Sequence, residues 1–319
     1  MEWYFILLII LGGLLFVFLF FFLIPVIFIS RYVYRKQLVR TSPEKWGREC
    51  SAKDNEEQVR MFDIGTKWGE ENKEYAIDVE IENEGLKLVG RYFDFGFKKA
   101  CIILAGRTES FLYSYYFAKP YKELGYNILV IDSRGHGYSE GIYLGVGLKE
   151  YKDALKWCSL LHDKYNNESI FIHAICIGCA TAVYMLTSKD CPSYFEGMVA
   201  EGMYTTFYET FKEHMIYEKK PVWPCAWIVM QMLKSKIKAD PIKNGPIYCI
   251  DKLNKPILML HSRLDKFSLP DKAQILYDKC NSPKKLVWFD KGAHSHIRIN
   301  NTEKYDNEIK EFIKEYINK

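Results

Sequence analysis

The chain has 319 residues, 49% of them hydrophobic, enough to bury the core of one large domain, and a net charge of +4. Its lysines and arginines are scattered, and no basic block is interleaved with base-stacking aromatics, which excludes nucleic acid as an expected partner. The nine cysteines (50, 101, 158, 176, 179, 191, 225, 249 and 280) are an odd number in a chain too long to need a disulfide scaffold, so they read as reduced thiols of a cytosol-facing domain.

The first element is a membrane span. From Trp3 to Ile29 every residue is apolar, aromatic, glycine or proline, and the only charge before Arg31 is Glu2. About 20 apolar residues at a rise of 1.5 Å cross the hydrocarbon core, so the run spans a bilayer with length to spare. Pro25 is expected near the end of this helix, where a break costs least. A cleaved signal peptide would want a basic start, a shorter apolar region and a small-residue cleavage site, and none of these is present. Arg31, Arg35, Lys36 and Arg40 follow directly with no acid among them, which puts the amino terminus outside and the rest in the cytoplasm. The same charges can rest on anionic headgroups. Residues 1–30 therefore read as a single-pass anchor in the cell membrane.

Residues 31–74 are polar and mixed in charge, a basic juxtamembrane connector with room for one short helix. Regular patterning starts at Tyr75. Ala76–Glu80 and Leu86–Tyr92, joined around Asn83-Glu84-Gly85, predict a β-hairpin. Short apolar runs typical of buried parallel strands follow at Cys101–Leu104, Asn127–Ile131, Ile170–His173, Met198–Ala200, Ile257–Leu260 and Leu286–Phe289. Helical segments alternate with them, clearest at Lys149–His162, Ala180–Leu186, Asp271–Cys280 and Lys304–Ile317. Strand alternating with helix predicts an α/β domain over residues 75–319, its mostly parallel sheet covered on both faces. Ligands of such sheets sit beyond the carboxyl ends of the strands.

The strand ends carry the candidate chemistry. After Ile170–His173 comes Ala174-Ile175-Cys176-Ile177-Gly178-Cys179-Ala180 and then a helix, which matches the nucleophile elbow G-x-S-x-G with alanine for the first glycine and cysteine for the serine. A nucleophile on so tight a turn needs small neighbours, and a thiol at a helix N-terminus is favoured as thiolate. A metal or redox role for the Cys176/Cys179 pair, with His173 nearby, lacks a second ligand cluster. Asp265 follows the strand Ile257–Leu260, and His294 follows Leu286–Phe289 in Gly292-Ala293-His294, giving the chain order nucleophile, acid, histidine. His294 would take the proton of Cys176 and Asp265 would orient the imidazole, with His296 as the rival base. Arg107, after Cys101–Leu104, and Ile177 are the candidate backbone oxyanion donors.

Gly125 to Gly141 contains Asp132-Ser133-Arg134-Gly135-His136-Gly137-Tyr138-Ser139, which resembles the D-x-R-G-H-G-x-S block of α/β-hydrolases, in particular bacterial membrane-anchored members of the group that includes serine aminopeptidase-like and acyl-ester hydrolases. The resemblance covers about Tyr75 to the C-terminus. It implies an α/β-hydrolase fold with an eight-stranded sheet, the second strand antiparallel, and a small lid after the sixth strand, here about 208–238. It also implies that His136 is a scaffold residue shaping the loop after the fourth strand. Phe207, Tyr208, Phe211, Met215, Tyr217, Trp223, Trp227, Met230 and Met232 supply apolar surface for covering a greasy pocket, for packing the lid on the body, or for touching the bilayer.

Three positions depart from the family pattern. Cys176 replaces serine, Ala174 the first elbow glycine, and Ala105 the histidine that commonly braces the oxyanion loop. A Cys-His-Asp triad is competent chemistry, and dienelactone-hydrolase-like members of the fold resemble it. The expected function is hydrolysis of an ester, thioester or amide of a small acyl substrate through an acyl-Cys176 intermediate, with no cofactor and no metal. The alternative is a catalytically inactive protein of the same fold that binds a ligand or partner at the membrane.

Overall fold

The computed structural model describes residues 3–318; Met1, Glu2 and Lys319 lie outside the described residues. The first element, α1 (Trp3–Leu38), is one continuous helix that runs past the charge boundary at Arg31. It is long and apolar enough to cross a membrane. Pro25 sits inside this helix rather than at its end. A proline lacks the N–H the ladder needs and crowds the carbonyl four residues back. A wider π turn at Leu19–Leu23, directly upstream, accommodates it. Residues 3–22 are exposed throughout, whereas beyond them one stripe turns inward: Val26 is half-buried, and Ser30, Val33, Tyr34 and Leu38 are buried. Spacings of three and four place these on one helix face.

Residues 31–74 do more than connect. They end α1 and then form α2 (Glu56–Glu71), 16 residues long rather than the one short helix expected. Asn55 caps it, its Oδ1 accepting the Gln58 N–H at 3.1 Å. Met61 and Trp68 enter the core. Gly65 lets the helix lie against the chain at Tyr116, where a Cβ would stand 2.9 Å from the Tyr116 nitrogen.

The sheet comprises β1 (Ala76–Asn83), β2 (Leu86–Phe93), β3 (Lys99–Leu104), β4 (Tyr126–Ile131), β5 (Ser169–Ile175), β6 (Phe195–Glu201), β7 (Ile257–Ser262) and β8 (Lys284–Phe289). Its order is β1-β2-β4-β3-β5-β6-β7-β8, with β2 antiparallel to both neighbours and the rest parallel, the eight-stranded α/β-hydrolase fold. The longer helices of the domain are α3 (Glu150–Asp163), α4 (Ile177–Leu186), α5 (Phe207–Tyr217), α6 (Cys225–Ile237), α7 (Pro270–Lys279) and α8 (Thr302–Phe312). Alternate residues of one strand serve opposite cores. Ile102 and Leu104 of β3 pack with Trp157, Cys158 and Leu161 of α3, whereas Cys101 and Ile103 face the side holding Phe117, Tyr305 and Phe312. Burial on both faces is why the strands read as unbroken apolar runs.

A third core joins α5 and α6, the expected lid, to α1. Phe207, Phe211 and Met215 of α5 and Val229, Met230 and Leu233 of α6 cluster with Val33, Tyr34 and Leu38 of α1. Most of the lid's apolar supply is thus spent on packing, while Tyr217, Trp223 and Trp227 remain exposed. The Asp132–Ser139 loop is a hydrogen-bonded scaffold. The Asp132 carboxylate accepts the N–H of Phe111 at 2.9 Å and of Tyr138 at 3.0 Å, and Ser139 Oγ donates to the Asp132 carbonyl at 2.7 Å.

Candidate active site

The elbow begins where β5 ends. Cys176 takes φ +52 and ψ −109, a strained position for a residue with a side chain, immediately before α4. Gly178 is what makes the turn fit: a Cβ there would lie 2.2 Å from the Leu104 carbonyl oxygen. The Cys176 N–H donates to the Glu201 carbonyl at 2.9 Å, which ties the elbow to the end of β6. The companion thiol, Cys179, is buried and turned toward the Ala174 and Glu201 carbonyls at 3.2 and 3.3 Å.

Asp265 and His294 come from the loops after β7 and β8, adjacent strands in register at Ser262 and Phe289. His294 Nδ1–H donates to Asp265 Oδ2 at 2.7 Å. The other carboxylate oxygen accepts the N–H groups of Phe267 and Ser268, each at 2.8 Å. Burial alone would raise the Asp265 carboxyl, but His294, His261 and these N–H donors hold it below its usual range. For His294 burial disfavours the charged imidazole; Asp265 and Cys176 outweigh it and raise the group well above its usual value. With Nδ1 committed to a carboxylate, Nε2 is the nitrogen left for the Cys176 thiol. It is shielded from solvent and has no well-formed hydrogen bond among the described residues. His294 and Cys176 line the same cavity of about 200 Å³.

His296 borders the same cavity but faces the connector helix, its Nε2–H donating to Gln58 Oε1 at 2.7 Å and its Nδ1 lying 3.3 Å from Glu57. The two candidate oxyanion donors leave the sheet side by side, since Leu104 of β3 pairs with Ala174 of β5. Neither the Arg107 nor the Ile177 N–H donates to a partner among the described residues. His136 holds their loop from below: its Nε2–H donates to the Arg107 carbonyl at 2.5 Å and its ring stacks on Trp46.

Several residues that shape this site escaped the sequence. The place of the missing oxyanion-loop histidine is taken by Glu109, whose Oε2 accepts the Gly106 N–H at 3.2 Å while Oε1 accepts from Gln58 Nε2 at 3.1 Å. Burial raises the Glu109 carboxyl to about 7, despite the bonds from Gln58 and Gly106. Gln37, on α1, accepts from Arg107 Nη1 at 2.6 Å. His214, the one lid residue in the cavity lining, stacks on Phe267 at 3.9 Å, and burial depresses it to about 2. The rest of the lining mixes Asn55, Gln58, Thr108 and Ser295 with Ala52 and Gly106, and none of the lid aromatics is among the described lining residues. An acid two residues after the candidate oxyanion donor was a visible signal for Glu109. Gln37 and Gln58 gave none, because they reach the site only through tertiary packing.

The sequence profile of the prolyl oligopeptidase family matches residues 113–319. Among individual proteins, the uncharacterized protein YqkD of Bacillus subtilis is 29% identical over 214 residues, 66% of this chain and 70% of that one. An esterase of Pyrococcus furiosus superposes with a TM-score of 0.65 at 25% identity, covering 78% of this chain and 94% of its own. The acylaminoacyl peptidase of Pyrococcus horikoshii superposes with a TM-score of 0.56 at 19% identity over 76% of this chain and 42% of its own, a likeness of fold.

Proposed function

This chain belongs to the prolyl oligopeptidase family, and from that premise we propose that it hydrolyses an ester, or the related thioester or amide, by acyl transfer to Cys176. One observation carries the reading: Asp265 holds Nδ1 of His294, which leaves Nε2 for the Cys176 thiol, and His294 and Cys176 line one cavity. In this mechanism Nε2 holds the proton given up by the thiol while the sulfur attacks the carbonyl carbon. The carbonyl oxygen becomes an oxyanion facing the free N–H groups of Arg107 and Ile177. Collapse expels the alcohol, thiol or amine, which receives the proton from His294. Water, deprotonated by the same imidazole, then releases the acid and restores the thiol. The Pyrococcus furiosus relative is an esterase, which supports an ester as the first substrate class to try. The small volume of the cavity, about 200 Å³, favours a short acyl group.

We further propose that α1 anchors the chain in the cell membrane with the hydrolase domain on the cytoplasmic side, as Arg31, Arg35, Lys36 and Arg40 direct. In this reading 1–30 is the anchor and 75–319 the hydrolase domain with its lid about 208–238, while 31–74 serves as part of the domain's own packing. The second reading, a ligand-binding protein without turnover, draws on the absence of a well-formed bond between Nε2 and the thiol. A p-nitrophenyl ester assay on the full chain in detergent separates the two. Wild type should release p-nitrophenol and form a mass-detectable acyl adduct; Cys176→Ala should lose turnover by about 10³-fold or more, and Cys176→Ser should retain or raise it. Equal cleavage by wild type and Cys176→Ala removes the acyl-cysteine mechanism.

A further inference from the structure

The lid exposes two large aromatics that serve neither the cavity nor the core. Trp223 is 78% exposed and Trp227 51% exposed, at the start of α6, and neither lines the cavity at Cys176. Their height relative to α1 follows from the contacts at the other end of α6. Lys236 Nζ lies 5.9 Å from the ring of Tyr143, and Tyr143 pairs with Val39 at the end of α1. Met232, Ser235 and Lys236 share a second cavity with Arg31, Tyr34 and Arg35. The C-terminal ends of α1 and α6 therefore lie together, and stepping back along α6 steps back along α1. Nine residues back from Lys236 is Trp227 and nine back from Val39 is Ser30, about 13.5 Å in either helix. Val222 and Val26, each half-buried, edge the same apolar cluster as the fully buried Cys225 and Ala226. Trp227 thus stands level with the last residue before the first cation of the chain, and Trp223 lies further toward the apolar run. On α1 at that height Ile27, Phe28 and Ile29 are exposed.

We propose that the lid docks on the bilayer through Trp223 and Trp227, which lie at the boundary of headgroups and acyl chains beside α1. This inference rests on the reading of α1 as a membrane span, with whose surface the patch is continuous. Indole rings favour that depth, because the ring is apolar while its N–H still reaches water. Lys219, exposed and four residues before Trp223, supplies a cation for anionic headgroups, whereas Lys220 and Lys234 pair with Glu218 and Asp240. The lid is then held by the anchor helix on one side and by lipid on the other, and α5 of that lid carries His214 into the active-site cavity.

The test is photolabelling of the full chain in phosphatidylcholine–phosphatidylglycerol liposomes containing a phospholipid with a photoactivatable acyl chain. Lipid adducts are expected on the peptide bearing Trp223 and Trp227 at roughly ten times the level on the peptide bearing Ile275, an exposed apolar residue of α7, with adducts on α1 as well. Replacing both tryptophans (Trp223→Asp, Trp227→Asp) should bring the lid peptide down to that control level and leave α1 labelled. A labelled α1 with the lid peptide at control level in wild type overturns the proposal. An unlabelled α1 overturns the membrane-span reading itself, a distinct result.

Discussion

Gly202, just beyond β6, has φ +62, and a methyl group there would stand 3.1 Å from Cε1 and 3.2 Å from Nδ1 of His294. The bare backbone is the floor on which the imidazole rests. Gly202→Ala should displace that ring and lower kcat by about 10–100-fold, while the left-handed backbone costs about 1–2 kcal/mol of stability; a variant with unchanged kcat would show that the ring is held by Asp265 alone. Two buried carboxyls nearby make a pH prediction. Burial raises both Glu109 and Glu201 to about 7 from 4.5, against the bonds that Gln58, Gly106 and Tyr305 give them. Both groups hold a proton in the folded chain at pH values where the unfolded chain has lost it. Native protein therefore binds more protons between about 4.5 and 7, and stability falls as pH rises through that window, by at most about 3 kcal/mol for each group. In Glu109→Gln that contribution is gone. Its Tm relative to wild type should rise between pH 5 and pH 8, and a constant difference across that range would exclude Glu109 as the titrating group.

Among the elements, legibility in the sequence followed how uniformly each is buried. β3, β4, β5 and β7 are buried along almost their whole length and mostly apolar because helices cover both faces, so their positions could be read to within a few residues. The elbow was legible too, since Gly178 and the small residues around Cys176 answer a local steric demand. α2 was not. Its inward residues are Gln58, Met61, Gly65, Trp68 and Gly69, a mixture whose glycines fit because Tyr115 and Tyr116 approach them, and no local pattern announces that. The end of α1 was misplaced for a different reason: the cations at 31, 35 and 36 mark where a bilayer ends, and helix hydrogen bonding has no reason to stop there. The lid aromatics were visible as composition, but which side each faces is a tertiary property. The weight of α2 can be measured. Met61 is fully buried, so Met61→Ala should cost about 2–5 kcal/mol in urea unfolding, whereas a free connector would lose nothing.

Across the whole molecule, the long apolar helix α1 and the candidate active site are parts of one structure. Lys45 caps the end of α1, its ammonium donating to the Arg35, Lys36 and Val39 carbonyls at 2.8, 2.7 and 2.5 Å. One residue before that end, Gln37 accepts from Arg107 at 2.6 Å and donates to Glu218 at 3.1 Å, and so bridges the loop of the candidate oxyanion donor Arg107 to the far end of α5. A helix used only as a tether would have no cause to make either bond. Two deletions distinguish tether from structural part. A chain beginning at residue 24 lacks most of the apolar span but keeps the face that packs on the lid, and it should stay folded and cleave a water-soluble ester at close to the full-length rate. A chain beginning at residue 75 loses Leu38, Met61 and Trp68 from the cores and Gln37 and Gln58 from the site, and it should lack a cooperative unfolding transition. Gln37→Ala isolates the bridge from these losses of packing. Its side chain lies at a half-buried position, so stability should change by less than about 1 kcal/mol, while the loss of one hydrogen bond to the oxyanion loop should lower kcat by roughly 3–10-fold with KM little altered. Equal kcat in Gln37→Ala and wild type would mean that His136 and Glu109 set the loop unaided, and that α1 reaches the chemistry only through the lid.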